Sequence, residues 1–223
     1  MPKSISGTRT KKGGVDTSSN YSGPITNVGS IRDIEHTQTR LAVQSAISRY
    51  ETVIGLGTNE VKIANLDGAY GLADLGDGSI YLNRKYYNDG SIVAKKIKDE
   101  ASGWAVKTTR PAGHTVVHEL AHQTWSRYAS RDGAVNTTGK QRAATVEAGK
   151  KISALYSEWR GQVLSKKRKS LGEYATTNAD EWFAEYMTAG TIGTKGARRD
   201  KYAKALVKIT KQYGLKRGIA TKY

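Results

Sequence analysis

From Ile31 onward apolar residues recur at helical steps: Val43, Ala46, Ile47, Tyr50 and Ile54 fall three and four apart and the pattern stops at Gly55. This predicts a helix lying on the back of a core. The period then changes. Glu60-Val61-Lys62-Ile63 reads as a short strand, and residues 68–73 and 79–83 read as two more, joined by a turn containing Gly76-Asp77-Gly78. The linker Thr108-Thr109-Arg110-Pro111-Ala112-Gly113 breaks the chain. Beyond it Val117, Leu120, Ala121 and Thr124 form one stripe of a further helix. A polar stretch to about Lys140 precedes a basic helix through Val146, Ile152, Leu155, Tyr156, Trp159 and Val163, whose aromatics read as core contacts, with base stacking by Trp159 as the lesser alternative. Asn178 is a good N-cap for the helix that follows. After Gly190 a basic, Gly-punctuated tail holds a short amphipathic helix around Tyr202, Ala205, Leu206 and Ile209. Strands beside helices, without internal repeats, predict an α+β fold.

Composition narrows the picture. A chain of 223 residues suits one domain with tails, and a hydrophobic content of 37% is low enough that part of it must face solvent as an extension. Residues 1–30 fit that description. They are rich in Gly, Ser, Thr and Asn, carry Lys3, Arg9, Lys11 and Lys12, and bury too little apolar surface to offset the entropy of ordering, so they predict a flexible basic arm that orders against neighbouring chains in an assembly. The division that follows is arm 1–30, domain 31–190 and basic tail 191–223. There are no cysteines, which excludes a disulfide scaffold and Cys-ligated zinc. No apolar run approaches a membrane span, and residues 1–7 lack the apolar core of a signal peptide.

The net charge of +16 is unevenly spread. From Lys195 to the end, ten basic residues stand against one acid, Asp200, and Lys166-Lys167-Arg168-Lys169 adds a compact cluster. Fields of this kind attract phosphates and acidic surfaces without reading sequence, so Lys166, Lys167, Arg168, Lys169, Arg198 and Arg199 are candidates for binding a polyanion such as nucleic acid.

The chemistry is concentrated in His118-Glu119-Leu120-Ala121-His122. Histidines four apart share one helix face, so both rings can reach one metal ion, and Glu119 between them points a carboxylate toward the same space. A catalytic zinc takes neutral imidazoles and a third protein ligand and leaves one position to water; the ion acidifies that water and a neighbouring carboxylate takes its proton. Glu119 is the candidate base. Downstream, Glu181 and Glu185 share a helix face at i and i+4, so that one can bind metal while the other orients a ligand histidine through its far nitrogen. A capping-box role for Glu181, reaching back to the Asn178 backbone, is the competing explanation. His114, one turn before His118, can approach the metal but reads more simply as a residue of the helix start.

These residues carry a resemblance. Tyr174-x-x-x-Asn178-x-x-Glu181-Trp182-Phe183-Ala184-Glu185, downstream of His118-Glu119-x-x-His122, resembles the gluzincin zinc peptidases, in particular the peptidase domain of anthrax lethal factor and its toxin- and phage-encoded relatives. The resemblance covers roughly residues 31–190, and only the two motifs are specific. It implies a zincin-like core, a small mixed sheet plus metal-binding helices, with His118, His122 and Glu181 as Zn2+ ligands and Glu119 as general base. It also implies that Tyr174 supports the oxyanion and that Glu185 holds a ligand histidine from behind. The long interval from His122 to Glu181 implies an insertion over about 127–170. Peptidases of this kind hold substrate as an added strand, and either arm of the hairpin is a candidate for that role, an ordinary structural hairpin being the alternative.

Two function classes follow. One is a zinc-dependent endopeptidase acting on a peptide or protein substrate, associated with a phage particle or toxin, in a virion or host cytoplasm. The other is a basic structural component of an assembly that retains a peptidase-derived core and binds nucleic acid or acidic protein. Retention of Glu119, Tyr174 and Glu181 together favours the first.

Overall fold

The structure is a computed structural model that describes residues 23–54, 60–75, 78–129 and 139–213. Most of the expected arm, the Gly76-Asp77 part of the turn, the polar stretch at 130–138 and the last ten residues lie outside it. Four strands form one sheet: β1 (Thr26–Ser30), β2 (Val61–Asn65), β3 (Gly71–Ala73) and β4 (Ile80–Asn83), in the order β1-β2-β4-β3. β2 and β4 are parallel, pairing Val61 with Ile80 and Ile63 with Leu82, and the two outer pairs are antiparallel. The sheet is therefore mixed, as expected, with β3 on one edge. Asn83 fixes the turn between β2 and β3: its side-chain amide donates to Leu66 O at 2.8 Å and Ala69 O at 2.6 Å. Alternation sets the two faces, with Ile63, Ile80 and Leu82 in the main core and Ala64, Leu72 and Tyr81 in a small cluster opposite.

The arm was expected to be free of structure through residue 30, and its last five residues instead complete the sheet as β1. The strand carries no alternating apolar pattern, and its register slips between Thr26 and Gly29, where Asn27 adopts a φ of 53°. Such a bulge hides a strand from a period-two reading. Ile31–Asp33 forms a single 3-10 turn, so α1 runs over Thr37–Ile54 rather than from Ile31.

α2 (Arg84–Asn88) and α3 (Ser91–Ser102) follow the sheet, and α4 (Pro111–Ala129) starts with proline at its first position, where no intrahelical N–H partner is needed. Gly113 lets α4 cross α1 closely, since a Cβ there would collide with Ala46. α5 (Gly139–Leu164) covers the interval expected to be an insertion and is built into the main core through Ala148, Ile152 and Trp159. Trp159 is fully buried and its indole donates to the Tyr186 hydroxyl at 2.7 Å, so it is not free to stack on a base.

α6 (Ala179–Ile192) is capped by Asn178, and α7 (Lys195–Arg199) and α8 (Lys201–Tyr213) complete the order. The expected tail is thus folded as far as Tyr213: Ala197, Tyr202, Ala203 and Leu206 belong to the same core, while the basic residues face outward. The fold is α+β. No described helix is long and apolar enough to cross a membrane.

Candidate metal centre

α4 and α6 pack face to face and bring the two motifs together. The Asn178 side chain accepts from the Glu181 backbone N–H at 2.8 Å, which anchors the first turn of α6. The Glu181 carboxylate itself turns inward to the histidines of α4. Its Oε2 lies 3.0 Å from His118 Nε2 and 3.4 Å from His122 Nε2, and the two Nε2 atoms are 2.9 Å apart. One ligand atom from each of three side chains therefore converges on one point, and His118, His122 and Glu181 form a group able to hold a metal ion. Ligand atoms at about 2.0–2.1 Å from a tetrahedral ion stand about 3.3–3.4 Å apart, close to these separations.

The far nitrogens are committed as well. His118 Nδ1 lies 3.0 Å from Glu185 Oε1, and His122 Nδ1 lies 2.6 Å from Asp180 Oδ1. A carboxylate can only accept, so with a metal bound each Nδ1 carries the ring proton, which leaves each Nε2 lone pair to the ion. At 2.9 Å the two Nε2 atoms must share either a proton or a cation between them, since two bare lone pairs would repel. Glu185 is itself held in place: its Oε2 accepts from the Val106 N–H at 2.7 Å and its Oε1 is 3.1 Å from His114 Nε2. His114 Nδ1 in turn lies 3.5 Å from Glu100 Oε1, which accepts from the Thr108 hydroxyl at 2.6 Å.

Charge balance points the same way. Glu119, Glu181 and Glu185 are buried with the three histidines, and among the described residues the one buried side-chain amine is Lys96, which acts on His114. A buried carboxylate without a counter-charge costs several kcal/mol, so the pocket demands cations. Protons fill that demand when nothing else does. Burial opposes a charge on His122, yet the Glu181 carboxylate and the bond to Asp180 outweigh it and push its pKa up to about 10. Against the same burial, Glu181 and Glu185 hold His118 well above the usual histidine value. Burial disfavours the Glu181 carboxylate, but His122 and His118 keep it ionised down to about 2; against the same burial, His114 and His118 hold Glu185 well below the usual carboxylate value. Nitrogen and oxygen donors of this kind suit a borderline divalent ion, and the residues present fit one.

Glu119 is fully buried on α4 between the two histidines and lies against β3. Gly71 makes that approach possible. A Cβ there would sit 2.5 Å from Thr115 Cγ2 and 3.2 Å from Glu119 Cγ. Tyr174 stands in a 3-10 turn tied to the preceding segment by its N–H on Trp104 O at 2.9 Å, and its ring stacks on His118 with centroids 5.7 Å apart. His118, Glu119, His122, Tyr174, Glu181 and Glu185 are thus gathered in one place. Asp180, His114, Glu100 and Lys96 join them there without having been singled out as site residues, although Asp180, in the acidic first turn beside Glu181, left a signal in the sequence.

The basic candidates lie elsewhere. Lys166, Lys167 and Lys169 are exposed, but the Arg168 guanidinium is committed to an ion pair with Asp200 and stands 4.9 Å from the Tyr202 ring centre. Arg198 and Arg199 are exposed on α7. No protein-family model, curated protein or solved structure matches this chain.

Proposed function

We propose that this chain is a zinc-dependent endopeptidase with a zincin-like core of the gluzincin kind. The observation that carries the reading is the convergence of His118 Nε2, His122 Nε2 and a Glu181 oxygen within 3.4 Å of one another, with each imidazole proton drawn to the far side by a carboxylate. Two histidines and a glutamate are a known ligand set for catalytic zinc. A divalent ion bound there supplies Lewis acidity, polarising a carbonyl and acidifying a water.

The chain's own residues supply the rest. Glu119, one residue from a ligand and shielded from solvent, takes the proton of the attacking water and delivers it to the departing amine. Tyr174, whose ring lies along His118, is the hydroxyl donor assigned to the developing oxyanion. Asp180 and Glu185 hold the two imidazoles in the tautomer that a metal requires. β3, a buried edge strand packed against Glu119, is the strand of the sheet that borders the metal ligands' helix.

Digestion of a mixed peptide library, read by mass spectrometry, tests this. Internal cleavage by the wild type in the presence of zinc is expected, with the rate lowered about 10²–10⁴-fold in Glu119→Gln while the metal is retained. Equal turnover by the two proteins would remove Glu119 from its role.

A further inference from the structure

At the far end of α6 from the metal ligands, the face of α8 and the corner of α7 enclose an open groove of about 570 Å³. Gly190, Arg198, Lys204, Val207, Lys208 and Lys211 line it. Gly190 lets α8 pack closely on α6 at the base of the groove: a Cβ there would meet Val207 Cγ2 at 2.6 Å and Ala203 O at 3.0 Å. Most of the surface lining it is apolar, and four of its residues are cationic. Lys204, Lys208 and Lys211 follow one another at four and three residues, a row about 10 Å long at 1.5 Å per residue, and Arg198 stands on the adjoining helix.

The acids nearby are turned away from this face. Asp200, the one acid of the C-terminal segment, pairs with Arg168 and caps α8 by accepting from Tyr202 N at 2.9 Å and Ala203 N at 3.3 Å. Glu158 takes Lys201 at 2.8 Å and the Tyr202 hydroxyl at 3.0 Å. None of the four groove cations forms an ion pair among the described residues, whereas their neighbours Lys201 and Arg168 both do. Like charges left side by side repel one another, and a row of them with no internal partner is stabilised by an external anion.

We infer that this groove is a binding site for the phosphodiester backbone of nucleic acid. Being open to solvent along one side, it fits a ligand that tracks along the surface. Charge on a duplex recurs every few ångström along its axis, so a row of about 10 Å meets more than one backbone phosphate. No groove-lining residue is aromatic, so base stacking has no platform there and the lysine row is assigned to the backbone. The site is separate from the metal chemistry and stands or falls without it. Because α6 carries Glu181 at one end and Gly190 toward the other, a hydrolytic centre and a nucleic-acid anchor would share one rigid helix.

The test is anisotropy of a fluorescein-labelled mixed-sequence duplex titrated with the full chain across a series of salt concentrations. Wild type is compared with Lys204→Gln/Lys208→Gln/Lys211→Gln and, as a control for general charge, with Lys166→Gln/Lys167→Gln/Lys169→Gln. These lysines lie at the surface, so both variants should keep the wild-type melting temperature. Should the groove triple variant melt early, Arg198→Gln with Lys208→Gln replaces it. Removing one lysine–phosphate pairing lowers the slope of log K against log salt by about 1, so the groove triple should lower it by about 3 and the control by much less. An equal decrease in both triples, or an unchanged slope in the groove variant, would overturn the assignment. So would tighter binding of poly-glutamate than of the duplex at the same salt, which would make the partner an acidic protein.

Discussion

The Nε2 atoms of His118 and His122 face each other at 2.9 Å, and each ring is held from behind by a carboxylate, Glu185 for one and Asp180 for the other. The pair is poised for a cation to sit between them. In its absence the same space is satisfied by protons, and the contest between the two occupants governs how the protein responds to substitution and to pH.

The supporting carboxylates should matter nearly as much as the ligands. Asp180→Asn and Glu185→Gln are expected to weaken zinc binding by about 10–100-fold, since each leaves an imidazole free to turn or to change tautomer. Asp180 is the more exposed of the two, with a side chain 19% accessible, and its effect should be the smaller. Competition against a chromophoric chelator measures both, and unchanged affinity in both variants would detach these carboxylates from the metal.

For the metal-free protein the pKa directions fix a stability window. The raised His122 and His118 contribute stability that is complete below 6.5 and is lost as pH rises through their folded values, about 10 for His122. The lowered Glu181 and Glu185 contribute stability that is complete above 4.5 and is lost as pH falls through their folded values, about 2 for Glu181. Chelator-treated protein should therefore melt highest between about 4.5 and 6.5. Zinc needs neutral imidazoles, so its presence should move that maximum to higher pH, with protons released on binding. Thermal melts across pH, with chelator and with zinc, decide the matter; identical profiles would contradict it.

Gly71 tests the packing of β3 on the site. In Gly71→Ala the new methyl meets Thr115 Cγ2 and crowds Glu119, which should cost about 1–3 kcal/mol in urea unfolding and lower turnover with the metal retained. Gly161→Ala is the matching control. Nothing lies within 4 Å of its Cβ on α5, so it should stabilise by about 0.5–1 kcal/mol.

The helix carrying His118 and His122 was legible because four-residue spacing is a property of one segment, and the hairpin because its arms alternate around a glycine turn. What stayed hidden depends on packing between segments. α3 turns Ile92, Lys96, Asp99 and Glu100 inward, so no apolar stripe announces it, and the His114–Glu100 contact cannot be read from either helix alone. α8 was expected as a short amphipathic helix around Tyr202, Ala205, Leu206 and Ile209; that Tyr202, Ala203 and Leu206 would join the main core was not. His114 does stand in the first turn of α4, and what the sequence did not show is its partner, Glu185, which arrives from a helix far along the chain.

Metal analysis bears most directly on the whole account. Protein incubated with zinc, desalted and measured by plasma mass spectrometry should carry about one zinc ion per chain, and His122→Ala and Glu181→Ala should each carry almost none. Wild type that leaves the column without metal, or Glu181→Ala that keeps its full share, would contradict it.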